Sequence, residues 1–74
     1  MIGLKLESAR KALGHSQEAA AQSIGCSSRT LRNWERGVHE PTGLSRRAVK
    51  EYIDRAEAAV IRELKADASE RRKR

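Results

Sequence analysis

Residues 16–41 read SQEAAAQSIGCSSRTLRNWERGVHEP, and this stretch decides the fold. It contains two short helical patterns, and only the segment from Gly25 to Ser27 separates them. Ser16 and Ser27 are typical N-cap residues, and Gly25 and Gly37 stand where a glycine commonly ends a helix. Two helices joined by so short a turn, with a glycine in it, are typical of a helix-turn-helix unit.

The sequence on either side predicts two more helices. Leu6, Ala9 and Leu13 share one face of a helix predicted over residues 4–13. After Pro41, apolar residues recur every three or four positions, with no glycine or proline beyond Gly43. This pattern predicts one long helix that ends near residue 66.

These helices predict one all-α domain, because 74 residues are too few for two domains. Residues 1–43 are predicted to form a helix-turn-helix core, residues 44–67 a long C-terminal helix and residues 68–74 a basic tail. The long helix exceeds what so small a core can cover, and an uncovered apolar stripe usually meets another helix. We therefore expect a homodimer whose interface is formed by the apolar residues of this stripe, Val49, Ile53, Ala56, Val60 and Leu64.

The chain carries a formal net charge of +6, which favours binding to polyanions such as nucleic acid or an anionic membrane. The positive charge is concentrated in residues 27–37 and in residues 71–74, whereas the segment between them is nearly neutral. The tail has two open interpretations, added nonspecific affinity for DNA or simple solubility. No apolar run reaches membrane-spanning length, and the first residues do not resemble a signal peptide. Cytoplasmic localisation is therefore expected.

The stretch quoted above resembles the phage repressor and Cro-like helix-turn-helix domains, a class related to xenobiotic-response-element regulators. The resemblance extends from Leu4 to Tyr52, and its densest part is residues 16–41. The matching positions open the second helix, form the helix crossing and the turn, and close the third helix: Ser16, Gln17, Ala21, Gly25, Trp34, Glu35, Gly37 and Pro41. The resemblance implies a lambda-repressor-like fold and, at matching positions, an ion pair between Arg10 and Glu35.

The fourth helix departs from this resemblance. The family usually has a shorter fourth helix followed by a separate fifth helix, whereas this sequence predicts one long helix. The departure leaves the mode of dimerisation open, although it does not argue against a dimer.

The resemblance also implies which residues contact DNA, because this fold lays its third helix in the major groove. The implied base contacts are Ser28, Arg29, Arg32 and Asn33. The implied phosphate contacts are Gln17, Ser27, Thr30, Arg36 and His39. Arg29 is the best candidate for a bidentate contact to guanine, since its planar guanidinium matches the O6 and N7 acceptors. Arg32 and Arg36 have an alternative interpretation as part of a solvated helix face, and for Arg36 the two interpretations are equally good.

The resulting hypothesis is a sequence-specific, double-stranded DNA-binding transcription regulator that acts as a dimeric repressor on a palindromic operator. The resemblance suggests a phage or mobile-element protein that controls its own operon and associates with the nucleoid through DNA. The alternative is an antitoxin-type interaction module that also binds DNA, with an unknown protein partner. Scarce aromatics disfavour binding of single-stranded RNA. No nucleophile–base pair, metal-ligand cluster or phosphate loop is found, so we expect no enzyme activity, cofactor or metal.

Four residues also have a structural interpretation. Trp34 lies three positions after Leu31, which predicts that both side chains point into the core. Cys26 is interpreted as a small buried hydrophobic residue, and a single cysteine excludes an intramolecular disulfide. His15 and His39 have no second ligand at metal spacing, so both are interpreted as ordinary loop residues.

Overall fold

The computed structural model of the chain describes residues 2–72, with side chains described through Lys65. Four helices follow one another: α1 (Ile2–Ala12), α2 (Gln17–Ile24), α3 (Ser28–Arg36) and α4 (Gly43–Arg72). The prediction of an all-α fold is confirmed, since residues 2–72 contain no strand. The last helix runs to Arg72, beyond the end predicted near residue 66, because residues 66–72 include neither of the helix breakers, glycine and proline.

Serine and glycine set the limits of the two central helices. The hydroxyl oxygen of Ser16 accepts a hydrogen bond from the Ala19 N–H at 3.1 Å, and thereby caps α2. Gly25 ends the same helix with φ of 95° and ψ of 35°, in the left-handed region. Its N–H donates to the Ala21 carbonyl at 2.8 Å. A residue with a Cβ is strained in this conformation, so the tight turn requires glycine.

The core lies where α1, α2 and α3 meet the first half of α4. Its largest fully buried side chains are Tyr52, Leu6, Leu31 and Val49. Trp34 is also buried, which confirms its prediction as a core residue. Cys26, in the turn between α2 and α3, is half-buried and packs against the edge of this core.

Gly3 brings α1 unusually close to the end of α3. A Cβ added at Gly3 would lie 2.5 Å from the carbonyl oxygen of Trp34 and 3.0 Å from that of Glu35. The first distance is too short for a Cβ and the second is tighter than most Cβ contacts, and both neighbours are backbone atoms. The approach of the two helices therefore depends on a residue that the sequence pattern does not single out.

The apolar stripe of α4 divides into two parts, which corrects the predicted dimer interface. Val49, Ile53 and Ala56 are buried in the core of the single chain, and Val49 has 0% exposure. A side chain enclosed by its own chain has no surface left for a partner. Val60 and Leu64 stay exposed, and the molecule extends to 49 Å along its longest axis because α4 continues beyond the core.

None of the helices within residues 2–72 is both long enough and apolar enough to span a bilayer.

Candidate nucleic-acid interface

The outer face of α3 is strongly cationic. Arg29, Arg32 and Arg36 are exposed, and Ser28 and Asn33 beside them are half-buried. None of the three arginines takes part in an ion pair with another described residue. Their charges are therefore available to a polyanion, whereas the opposite face of α3 is anchored in the core.

The N-terminus of α3 has a defined hydroxyl arrangement. The Ser27 oxygen accepts from the Thr30 N–H at 3.1 Å, and the Ser27 hydroxyl donates to Thr30 Oγ1 at 2.8 Å. Ser27 is thus committed to capping the helix. Thr30 accepts this bond and keeps its own hydroxyl proton, so Thr30 is the better phosphate donor of the two predicted residues.

Gln17 is the first residue of α2, and one N–H of its side-chain amide is hydrogen-bonded within the chain. Its Nε2 donates to Glu35 Oε1 at 3.2 Å. The second N–H and the carbonyl oxygen of the carboxamide remain for another partner. The helix N-terminus beside it adds free backbone N–H groups and a positive dipole end, both of which favour an anion.

Arg10 and Glu35, the residues that the resemblance pairs, form a two-point contact between α1 and α3. Arg10 Nε donates to Glu35 Oε2 at 2.7 Å, and its Nη2 donates to Oε1 at 3.3 Å. The Glu35 side chain is 2% exposed and that of Arg10 is 14% exposed. The hydrogen bond to Glu35 raises the pKa of Arg10 and outweighs the lowering by burial. This pair fixes the end of α3, and with it the direction of the exposed face.

The same network continues through His15, which lies in the loop between α1 and α2 as predicted and also contacts α4. Arg10 Nη1 donates to the His15 carbonyl at 3.1 Å, and His15 Nδ1 lies 2.7 Å from the Tyr52 hydroxyl. Tyr52 is buried in α4, and burial raises the pKa of its hydroxyl. Every buried side-chain nitrogen or oxygen among the described side chains has a hydrogen-bond partner. The network therefore links all four helices behind the cationic face.

His39, by contrast, lies exposed in the segment between α3 and α4, outside this network. The other predicted phosphate contacts, Gln17, Ser27, Thr30 and Arg36, belong to α2, to α3 or to the cap of α3.

A family model described as "Helix-turn-helix" matches residues 6–45, more than half of the chain. The chain belongs to the Cro/C1-type helix-turn-helix family. It is therefore a DNA-binding regulator of this type. No curated protein and no solved structure gave a significant match. The matched residues of this Cro/C1-type domain include α2, α3 and most of α1, whereas nearly all of α4 lies beyond them.

Proposed function

We propose that the protein is a transcriptional repressor that inserts α3 into the major groove of double-stranded DNA. The observation that carries the proposal is the exposed face of α3, where Arg29, Arg32 and Arg36 have no ion-pair partner among the described residues. This face sits on a helix of the Cro/C1-type family whose other side is packed in the core.

The residues of this face divide by the contacts that their chemistry permits. Arg29 lies in the first turn of α3, where helix-turn-helix domains contact base edges, and its guanidinium matches the two acceptors of guanine. Asn33 lies one turn later and suits adenine or a phosphate. Gln17 and Thr30 supply neutral donors that would position the domain on the DNA backbone without reading its sequence.

Repression by two copies follows from the small size of the domain. One helix in one major groove reads few base pairs, whereas two copies about a two-fold axis read a palindrome with half-sites about one helical turn apart. Occupying a promoter requires only tight and selective binding. Binding of a Cro/C1-type domain to a promoter is therefore sufficient for repression.

Selection of bound fragments from a random pool of double-stranded DNA, at a fixed and stated salt concentration, tests this function. The expected result is a palindromic consensus that competes far better than scrambled DNA. Transcription from a promoter that contains this consensus should then fall when the protein is added. A pool without enrichment, or a rise in transcription, would overturn the proposal.

A further inference from the structure

We propose that a second copy of this chain docks into the groove between α1 and α4, so that two molecules pair through this face. The inference rests on the proposed function in one respect, because it supplies the surface for the dimer that reads a palindrome. This docking groove lies above the small core residues Ala9 and Ala56, and its walls are formed by Leu4, Lys5, Ala12, Glu57, Val60 and Ile61.

The shape of the docking groove suits a helix. Its volume is about 550 Å³, and it is open to solvent along the side of the molecule. Three alanines line it, Ala9 and Ala12 from α1 and Ala56 from α4. Ala9 and Ala56 are buried, and their short side chains leave the depression between α1 and α4 that gives the groove its depth.

Exposed apolar side chains are concentrated on this face. The large exposed apolar residues among the described side chains are Leu4, Val38, Leu44, Val60, Ile61 and Leu64. Leu4, Val60 and Ile61 line the docking groove, and Leu64 follows Val60 by one helical turn on the same side of α4. Leu64 is 64% exposed. A contiguous apolar patch of this kind on a small domain marks a contact surface.

The same chain also supplies an occupant that fits the docking groove. The apolar end of the stripe, from Val60 to Leu64, adjoins the groove and extends beyond the core. A two-fold axis through this face places the stripe of each copy over the groove of the other, and buries both copies of Leu4 and Leu64 at once. Such an interface is self-complementary, as isologous dimers require.

The charges of the docking groove support the same occupant. It carries one cation, Lys5, and one anion, Glu57, and neither forms an ion pair with another described residue. A two-fold interface brings the Lys5 of each copy toward the Glu57 of the other. Residues 38–65 are nearly neutral, so the repulsion expected from a net charge of +6 is concentrated elsewhere on the molecule.

The docking groove also leaves the DNA-binding face free. Its lining residues come from α1 and α4 alone, whereas the candidate DNA contacts belong to α2, α3, the cap of α3 and the segment after α3. Two copies joined in this way keep both α3 helices exposed.

Sedimentation equilibrium of the full chain tests the interface. We expect a reversible dimer for the original sequence and at least ten-fold weaker association for Leu4→Glu and for Ile61→Glu. Leu44→Glu is the matched control, since Leu44 is 84% exposed and does not line the docking groove, and its association should be unchanged. Circular dichroism verifies that each variant is folded. A monomeric original chain, or equal loss in the control, would overturn the proposal.

Charge reversal identifies the two-fold arrangement itself. Lys5→Glu and Glu57→Lys should each weaken self-association, because each places like charges across the interface. An equal mixture of the two variants should regain association, since both cross-contacts then join opposite charges. Failure of the mixture to associate more strongly than either variant alone would refute the pairing of Lys5 with Glu57.

The DNA measurements separate this inference from the proposed function. Leu4→Glu should keep the affinity for a single half-site and lose the gain in affinity that a palindrome provides. A dimer through the groove that selects no DNA sequence would refute the function alone. Two outcomes would refute this inference alone. One is selection of DNA by a chain that stays monomeric. The other is occupation of the groove by an apolar small molecule or a different protein instead of a second copy.

Discussion

At the scale of single residues, replacement of Arg29 and replacement of Gln17 are expected to change DNA binding in different ways. Arg29→Ala should lower discrimination between the selected consensus and scrambled DNA by about 1–3 kcal/mol, because it removes a bidentate base contact. Gln17→Ala should weaken binding to both DNAs alike, because it removes a backbone contact. Titration of both DNAs at one salt concentration measures this difference.

Arg62→Ala is the control for Arg29→Ala, since it removes an equal charge from an exposed position on α4. If Arg29→Ala preserves the preference for the consensus, the assignment of base reading to this residue is wrong.

Gly3 shows how a missing side chain sets the distance between two helices. Gly3→Ala should destabilise the fold by about 1–3 kcal/mol, because its methyl group would collide with the Trp34 carbonyl and force α1 away from α3. Urea unfolding followed by circular dichroism measures the change. Ser8→Ala, at an exposed position of the same helix, should stay within about 0.5 kcal/mol. A stable Gly3→Ala protein would mean that the helices can separate at little cost.

Cys26 is expected to react slowly with thiol reagents, because burial raises the pKa of its thiol. The thiolate is the reacting form, so a raised pKa lowers its fraction at neutral pH. The modification rate should therefore rise at higher pH in the folded chain than in the urea-unfolded chain. Leu44→Cys in a Cys26→Ser background provides an exposed comparison. Equal rates for the two cysteines at neutral pH would contradict the expected protection.

At the scale of helices, the Arg10–Glu35 pair connects α1 to the end of the DNA-binding helix. Glu35→Ala should destabilise the fold by about 3 kcal/mol, because it leaves the largely buried Arg10 guanidinium without its carboxylate. Glu51→Ala is the control. Glu51 Oε1 lies 3.6 Å from Nε of its partner Arg47, in an exposed ion pair on α4. The expected change in the free energy of unfolding is therefore below about 1 kcal/mol. Similar unfolding midpoints for both variants would show that the buried pair contributes little.

Local chemistry explains why much of the helix order was predictable from sequence. The serine caps and Gly25 act through hydrogen bonds and dihedral angles of neighbouring residues, so their effect on α2 and α3 is visible in the order of residues. The contact between His15 and Tyr52 has no such signal, because it joins a turn to a distant helix. The close approach at Gly3 depends in the same way on the backbone of α3.

The sequence predicts that α4 is a helix with an apolar stripe. It does not predict that one part of this stripe is buried in the core and the other part is exposed. Val49 and Leu64 belong to the same periodic pattern, although one is buried in its own chain and the other is exposed. The periodicity of a sequence predicts which side of a helix is apolar, but it does not predict what covers that side. Only the packing of α1 against α4 determines where the core ends, just after Ala56.

At the scale of the whole molecule, the distribution of charge makes a prediction about salt. Deletion of residues 71–74, four of the sixteen basic residues, should weaken binding to all DNAs and leave the selected consensus unchanged. The slope of log affinity against log salt should fall by about 0.9 for each phosphate contact that is lost. Titrations with consensus and scrambled DNA over a range of salt measure the slope. An unchanged slope would mean that the tail serves only solubility.

The buried pair of Arg10 and Glu35 also restricts how this protein can evolve. A lineage that loses either charge first passes through a form with an unpaired ion inside a domain that has little stability to spare. A protein in which both charged residues are replaced by apolar residues can be stable. Each single substitution that precedes it, however, gives a poorly folded intermediate. The two positions are therefore expected to be inherited together or exchanged together, as one unit of variation.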